Sequence, residues 1–179
     1  LTKKAQAVGA LTIWDLAHSA GALPIELLNT GADFAVGCTY KFLNGGPGAP
    51  AFIYVAPEHL TTAEPVLAGW MGHAAPFGFD TSYEPSPTIE RMRVGTPPVL
   101  GMAALECALD VWDEVDLQDV RDRSTELSEL MINLITESCP ELKLESPENP
   151  QSRSSHLAFS HDQGYAIVQA LIANKVMAD

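Results

Sequence analysis

Apolar positions along the first third of the chain form short runs of the length that strands have in a buried sheet. Leu11 to Leu16, Asp33 to Gly37 and Ala51 to Val55 each carry such a run, and polar or small residues separate them. Pro24 to Leu28 predicts one helical turn between the first two runs. Because short apolar runs buried on both faces are typical of parallel strands, the pattern predicts a sheet of the α/β class.

The second half of the chain has helical spacing. Pro97 and Pro98 open a segment whose apolar residues recur at intervals of three and four, which predicts a helix through Glu114. A second amphipathic pattern predicts a helix from Leu117 to Cys139, ended by Pro140. The last predicted elements are a polar turn at Pro147 to Ser152, a strand at Ser155 to Ser160 and a helix at Tyr165 to Lys175.

The order of these elements predicts two domains. Residues 1–115 hold the three strands and the first long helix, whereas residues 116–179 combine helices with a strand, as a small α+β domain does. Residues 56–98 are rich in Gly and Pro and lack periodicity, which indicates functional loops. The chain begins without Met, shows no export signal and stops directly after a helical pattern, so we expect it to be part of a longer protein.

Composition argues against several classes of function. A formal net charge of -13 opposes binding to nucleic acid or anionic lipid, and no apolar run approaches the ~20 residues that cross a bilayer. Cys38, Cys107 and Cys139 are widely spaced, and the histidines show no metal-ligand spacing, which argues against disulfides and a metal site. We therefore expect a cytoplasmic protein with no metal and with neither nucleic acid nor membrane as a partner.

Asp15 and Lys41 form the first candidate pair for chemistry. Both lie near the carboxyl ends of predicted neighbouring strands, where open α/β sheets place their ligand sites. A pyridoxal-phosphate enzyme needs a lysine that binds the cofactor aldehyde and an acid that keeps the pyridine nitrogen protonated. The pair supplies both groups, but an arbitrary pair of this type is more often a strand-end acid and a solvated lysine.

The sequence around the two residues distinguishes these interpretations. Trp14 to Ala22 contains Asp-x-x-His, and Gly31 to Gly48 ends in Tyr-Lys-Phe-Leu-Asn-Gly-Gly-Pro-Gly. In these segments the chain closely resembles the kynureninase family, one of the fold-type-I pyridoxal-phosphate enzymes, which also include cysteine desulfurases and class V aminotransferases. The resemblance continues through Gly69 to His73 and Val94 to Pro98, and weakly through Arg153 to Asp179.

This resemblance implies an α/β fold. Residues 1–115 would be the C-terminal part of the large domain of the fold-type-I transferase fold, with a mixed or parallel sheet covered by helices, and residues 116–179 an incomplete small domain. It implies pyridoxal 5'-phosphate as cofactor and hydrolysis of L-kynurenine or 3-hydroxykynurenine to anthranilate or 3-hydroxyanthranilate and L-alanine, in tryptophan catabolism and the kynurenine pathway towards NAD biosynthesis. A homodimer with a shared active site is also implied.

The resemblance assigns a role to each residue of the candidate site. Lys41 would bind the cofactor aldehyde and then move a substrate proton, and Tyr40 would donate to the cofactor phosphate and serve as a proton donor. Asp15 would hold the pyridine nitrogen protonated. The residues assigned to cofactor binding are Asp15, His18, Tyr40, Lys41, Trp70 and Thr96, of which the last two would reach the phosphate from the other subunit.

Two alternatives stay open. One is another fold-type-I enzyme, such as a cysteine desulfurase or aminotransferase, although the three cysteines lie in apolar or helical surroundings that suit packing better than catalysis. The other is a non-catalytic binding or dimerisation fragment, because the family's ring-stacking aromatic and its carboxylate-binding arginine cannot be located in this chain. We expect the 179 residues alone to be inactive. Among the remaining histidines, only His73 is a candidate neighbour of the substrate.

Overall fold

The computed structural model describes residues 1–179, which divide into two compact units, Leu1–Asp116 and Leu117–Asp179. The first unit contains helices α1 (Thr2–Gln6), α2 (Leu27–Thr30) and α3 (Val99–Leu109) and strands β1 (Ile13–Asp15), β2 (Phe34–Cys38) and β3 (Ala51–Val55). The second contains α4 (Leu117–Ser138), β4 (Lys143–Leu144), β5 (Phe159–Ser160) and α5 (Gly164–Ala173). Short 3-10 helices lie at Pro57–His59, Trp70–Gly72, Ile89–Met92, Asp110–Glu114 and Pro150–Ser152.

The first three strands form one mixed sheet in the order β1, β2, β3. β1 runs parallel to β2 with Asp15 opposite Val36, and β3 runs antiparallel to β2 with Cys38 opposite Ala51. The antiparallel pairing follows from the connection 39–50, which contains no crossover helix of the kind that parallel neighbours need. The α/β class with a mixed sheet is therefore confirmed, and all three strands lie where the apolar runs predicted them.

The two faces of the sheet differ in how completely they are covered. Ala35 is fully buried, but on the opposite face Ile13 is 70% exposed and its neighbours Val36 and Ile53 are 38% and 42% exposed. The expectation that the first strand is buried on both faces is wrong for Ile13, which lies on an edge strand of the sheet and is exposed. The same open face carries Asp15, which pairs with Val36 in register.

The helices agree with the sequence pattern more closely than the short elements do. α4 ends at Ser138, just before Pro140, and the predicted helix through Glu114 is α3 followed by a tighter 3-10 segment. The turn expected at Pro24 to Leu28 is shifted, since α2 begins only at Leu27. The strand expected at Ser155 to Ser160 is shorter, because only β5 pairs, antiparallel to β4. Helix α1 and strand β4 were not predicted, since neither is long enough to show a period.

None of these helices combines the length with the apolar character that spanning a bilayer requires.

Candidate active site

Two loops at one edge of the sheet carry the first group of candidate residues. β1 ends at Asp15, and β2 ends at Cys38, shortly before Lys41. Parallel strands end at the same edge, so both loops leave the sheet on one side. A Cβ atom on Gly21, in the first loop, would lie 2.9 Å from the carbonyl carbon of Phe42 in the second. The structure thus brings the loop after Asp15 into contact with the loop that contains Lys41.

Asp15 presents one carboxylate oxygen to its surroundings. Its Oδ1 accepts a hydrogen bond from the backbone N–H of Ala17 at 2.9 Å, which orients the carboxylate at the end of the strand. Oδ2 accepts no hydrogen bond within the chain, and the residue is exposed. An open, oriented carboxylate oxygen can pair with a protonated ring nitrogen. His18 follows in the same loop and is also exposed.

Lys41 and Tyr40 lie beside each other after β2. Lys41 Nζ is 5.2 Å from the centroid of the Tyr40 ring, in cation–π range, and Lys41 forms no salt bridge. Adjacent side chains can serve one site only where the backbone turns. The backbone bends at residues 39–41 and turns directly after Lys41, where Asn44 N–H donates to the Lys41 carbonyl oxygen at 2.9 Å and Asn44 has a φ of 61°. The Lys41 amine therefore has an aromatic neighbour and no acidic one.

Thr39, which the sequence did not single out, closes this loop at its base. The side chain is 5% exposed, and its Oγ1 donates to the carbonyl oxygen of Pro50 at 2.5 Å. Its own carbonyl oxygen accepts from Gly45 N–H at 2.9 Å. A Cβ atom on Gly45 would lie 2.8 Å from Ala49 Cβ, so only glycine allows the closure. The glycine-rich sequence after Lys41 thus shapes the loop that holds the lysine.

Trp70 and Thr96 lie on two segments that pack against each other. A Cβ atom on Gly69 would lie 1.7 Å from the carbonyl oxygen of Val94, an approach that no other residue at position 69 permits without movement of the backbone. Trp70 is 47% exposed and meets Phe77 edge-on, with ring centroids 5.6 Å apart, and Thr96 is exposed. The structure thus brings the segments that bear these two candidates into contact.

His73 is held by its own loop. Its Nδ1 accepts from Ala75 N–H at 2.8 Å, and its Nε2 lies 3.0 Å from the carbonyl oxygen of Ser82. Because a carbonyl only accepts, Nε2 carries the proton. The ring also meets Tyr83 edge-on, with centroids 5.7 Å apart, at the wall of a cavity of about 360 Å³ that Trp70 lines as well. Both ring nitrogens are thus occupied by the loop.

The largest pKa change lies at the opposite end of the sheet, on a residue without an assigned role. Asp33 precedes β2, is 4% exposed and accepts hydrogen bonds from His59 Nε2 at 2.9 Å, Thr12 N–H at 2.9 Å and Thr12 Oγ1 at 2.8 Å. The bond to His59 and those from Thr12 hold the pKa of Asp33 well below its usual range. Gln6 Nε2 of α1 adds a bond at 3.2 Å. Asp33 therefore anchors α1 and the Pro57–His59 turn to the start of the sheet.

The cysteines differ from one another in their surroundings. Cys38 and Cys139 are half-buried, as the packing interpretation requires, but Cys107 is exposed on α3, so the expectation of a packed environment is wrong for that residue. It lies within a regular helix rather than on a loop. None of the three is bonded to another, and no group of three or more His, Cys, Asp or Glu side chains is arranged to hold a metal ion.

Comparison with known proteins gives consistent matches. Residues 120–179 match the family model described as the kynureninase C-terminal domain. Curated kynureninases of Pseudomonas fluorescens and Burkholderia mallei (strain SAVP1) are 46% and 45% identical over 181 aligned residues, which cover 100% of this chain and 44% of each relative. The cysteine desulfurase of Thermococcus onnurineus NA1 aligns with a TM-score of 0.79 at 23% identity, covering 98% of this chain and 43% of that one. Alanine–glyoxylate aminotransferase of Nostoc sp. aligns with a TM-score of 0.71 at 22% identity, and the alignment covers 97% of this chain and 45% of that one.

These structural likenesses define the class of protein: the chain has the fold of the fold-type-I pyridoxal-phosphate enzymes. It spans 44% of the length of the curated relatives that it matches. Within that class the sequence is decisive, since identity rises from 23% or less with the desulfurase and aminotransferase structures to 46% with the kynureninases. Along its whole length the chain is similar to the kynureninases, and residues 120–179 match the model of their C-terminal domain.

Proposed function

We propose that the protein containing these residues hydrolyses L-kynurenine or 3-hydroxykynurenine to anthranilate or 3-hydroxyanthranilate and L-alanine, with pyridoxal 5'-phosphate as cofactor. The observation that carries the proposal is the packing of Gly21 against Phe42, which joins the Asp15 loop to the Lys41 loop at the carboxyl edge of the sheet. The identity of 46% with a curated kynureninase along the whole chain supports the choice of reaction.

The side chains at this edge fit the cofactor. Asp15 Oδ2 is open to pair with the pyridine nitrogen, and the Lys41 amine, which pairs with no carboxylate, suits attack on an aldehyde. The Tyr40 hydroxyl suits donation to the phosphate, and His18 would line the pocket beside Asp15. The bound cofactor would supply the electron sink for cleavage of the carbon–carbon bond.

The proton movements would then fall to Lys41 and Tyr40. Lys41 Nζ, once released by the substrate amine, would take the proton from the substrate Cα. The Tyr40 hydroxyl, on the same turn, would return a proton to the alanyl product. Asp15 would keep the pyridine nitrogen protonated throughout, because a carboxylate at hydrogen-bond distance favours the charged form of that nitrogen.

A homodimer with shared sites completes the proposal. Residues 1–115 would form the C-terminal part of the large domain and residues 116–179 an incomplete small domain. Trp70 and Thr96 would donate to the phosphate in the partner's site, and the exposure of both residues supports this. The reaction would belong to tryptophan catabolism in the cytoplasm.

The test compares Lys41→Ala with Lys4→Ala in the full-length protein. Lys4 is an exposed lysine of α1, so it controls for loss of a positive charge. We expect Lys41→Ala to abolish the yellow absorbance of lysine-bound cofactor and the fluorescent release of anthranilate, and Lys4→Ala to keep both. A Lys41→Ala protein that stays yellow after dialysis would overturn the assignment. Release of sulfide from cysteine, with no anthranilate from either substrate, would favour the desulfurase alternative.

A further inference from the structure

Arg91 is a buried arginine outside the candidate residues. It lies in the Ile89–Met92 turn, is 5% exposed and forms no salt bridge. Its Nε donates to the carbonyl oxygen of Ser86 at 2.8 Å, and its Nη1 donates to the carbonyl oxygen of Ala63 at 3.0 Å. Burying a charge that is paired only with backbone carbonyls costs free energy. We therefore ask which segments of the chain these two hydrogen bonds connect.

Arg91 connects the segments that precede and follow the Trp70–Gly72 turn. Ser86 N–H donates to the carbonyl oxygen of Gly72 at 2.9 Å, and the next pair along this short antiparallel contact is Ala74 N–H to the Glu84 carbonyl oxygen at 2.8 Å. Through Ser86, the guanidinium of Arg91 therefore fixes the far end of the Trp70–Gly72 turn. Its bond to Ala63 ties the same cluster to the chain that leads into that turn.

The backbone of Arg91 completes the arrangement on the other side. A Cβ atom on Gly72 would lie 2.7 Å from the carbonyl oxygen of Arg91 and 2.8 Å from that of Arg93, so the two turns are in direct contact. Residues 94–96 continue from this contact, with Gly69 against Val94. The side chain and backbone of Arg91 thus link the segment that bears Trp70 to the segment that bears Thr96.

We propose that Arg91 is a positioning residue that holds Trp70 and Thr96 at the spacing needed for both to donate to one phosphate group. This inference rests on the proposed function, in which these two side chains bind the cofactor phosphate. Arg91 acts through the two segments and touches neither cofactor nor substrate. A hydrogen-bond donor displaced by a fraction of an ångström loses its bond, so the fork of Arg91 controls the recognition of the phosphate rather than of the pyridine ring.

The experiment measures cofactor affinity in the full-length protein, with the absorbance of lysine-bound cofactor as readout. Apoprotein is titrated with pyridoxal 5'-phosphate and with pyridoxal, which lacks the phosphate. We expect Arg91→Gln to raise the Kd for pyridoxal 5'-phosphate about tenfold and to leave the Kd for pyridoxal within about twofold. Arg93→Gln is the matched control, because Arg93 is a half-buried arginine next to the same turn that pairs with Glu90. Both of its Kd values should stay within about twofold of the wild type.

Arg91→Lys carries the test if Arg91→Gln does not fold. Lysine keeps the charge but has a single donor nitrogen in place of the guanidinium fork, so we expect an increase of about threefold in the Kd for pyridoxal 5'-phosphate alone. Equal increases for both cofactors, or unchanged affinity for pyridoxal 5'-phosphate in a folded variant, would overturn the inference. Absence of Lys41-dependent absorbance in the wild type would instead overturn the proposed function, so the two failures are distinguishable.

Discussion

Gly21 and Phe42 lie in contact through their backbones, with a positive φ of 83° at Gly21 and no room for a side chain there. A Cβ atom would lie 2.9 Å from the Phe42 carbonyl carbon and 3.0 Å from its oxygen. Backbone atoms cannot rotate aside as a flexible side chain can, so a larger residue must push the two loops apart. The separation of the two loops, and with it the distance between Asp15 and Lys41, therefore depends on a glycine at position 21.

The first prediction follows from this contact and uses a second glycine as control. Gly31 has a similar φ of 67°, but a Cβ atom there would meet nothing within 4 Å. Gly31→Ala and Gly21→Ala therefore carry the same kind of backbone strain, and only Gly21→Ala adds the collision. We expect Gly21→Ala to weaken binding of pyridoxal 5'-phosphate to the full-length protein by about tenfold or more, and Gly31→Ala by about twofold or less. Equal affinities in the two variants would show that the contact does not set the geometry of the site.

The second prediction concerns Asp33 and acid. The bonds from His59 and Thr12 lower the pKa of Asp33 in the folded protein, so the folded state favours the carboxylate more than the unfolded chain does. The resulting stabilisation is complete above the unfolded pKa, at about 4, and decreases as the pH falls further. We expect Asp33→Asn to lower the thermal unfolding midpoint of the full-length protein at pH 7, and the difference from the wild type to shrink as the pH approaches 3.

The control for this acid dependence is Glu58→Gln. Glu58 is an exposed carboxylate in the same Pro57–His59 turn as the partner of Asp33. Its replacement should shift the midpoint little at any pH, because an exposed acid without strong partners favours neither state. A difference between wild type and Asp33→Asn that stays constant from pH 7 to pH 3 would contradict the linkage of Asp33 ionisation to stability.

The third prediction concerns the second unit. Arg153 is 3% exposed, and its guanidinium donates to the carbonyl oxygens of Pro147 and Glu148 at 3.0 and 2.9 Å, to Ser128 Oγ at 3.0 Å and to the Glu129 carboxylate. Arg153→Met leaves several of these acceptors without a partner, and we expect it to destabilise α4 by about 2–3 kcal/mol. Hydrogen exchange of the α4 amides in the full-length protein measures this change.

Arg123→Met is the comparison for Arg153. Arg123 lies on the same helix, and its ion pair with Glu126 is exposed, with 69% of the arginine side chain accessible. Such pairs contribute about 0–1 kcal/mol, so exchange of the α4 amides should change little. If both variants accelerate exchange equally, the buried network of Arg153 does not stabilise α4 more than an exposed ion pair does.

The pattern of apolar residues predicted the longer elements of the fold. The strands β1 to β3 and the long helix α4 were located from runs and spacing, since each is long enough to show its pattern. The five-residue α1 and the two-residue β4 are too short for any pattern, and their places depend on contacts with distant residues such as the bond from Gln6 to Asp33. The exposure of Ile13 could not be predicted either, because an apolar run in the sequence does not show which face of the strand other residues will cover.

The candidate residues could be named from sequence, but the groups that hold them could not. Lys41 and Asp15 lie in recognisable motifs, whereas Thr39 and Arg91 act through the carbonyl oxygens of Pro50 and Ala63, which are 11 and 28 residues away. Any residue has a carbonyl oxygen, so nothing in the sequence marks Pro50 or Ala63 as the acceptor.

The closure of the Lys41 loop by Thr39 has a consequence for protein engineering. Every hydrogen bond that defines this loop, from Thr39 to Pro50 and from Gly45 back to Thr39, starts and ends within residues 39–50. The loop begins and ends at a pair of facing residues, Cys38 and Ala51, on adjacent antiparallel strands. Grafted onto another hairpin whose strand ends face each other in this register, residues 39–50 would keep these internal hydrogen bonds and the lysine beside an aromatic ring, but would lose the backbone contact with Gly21.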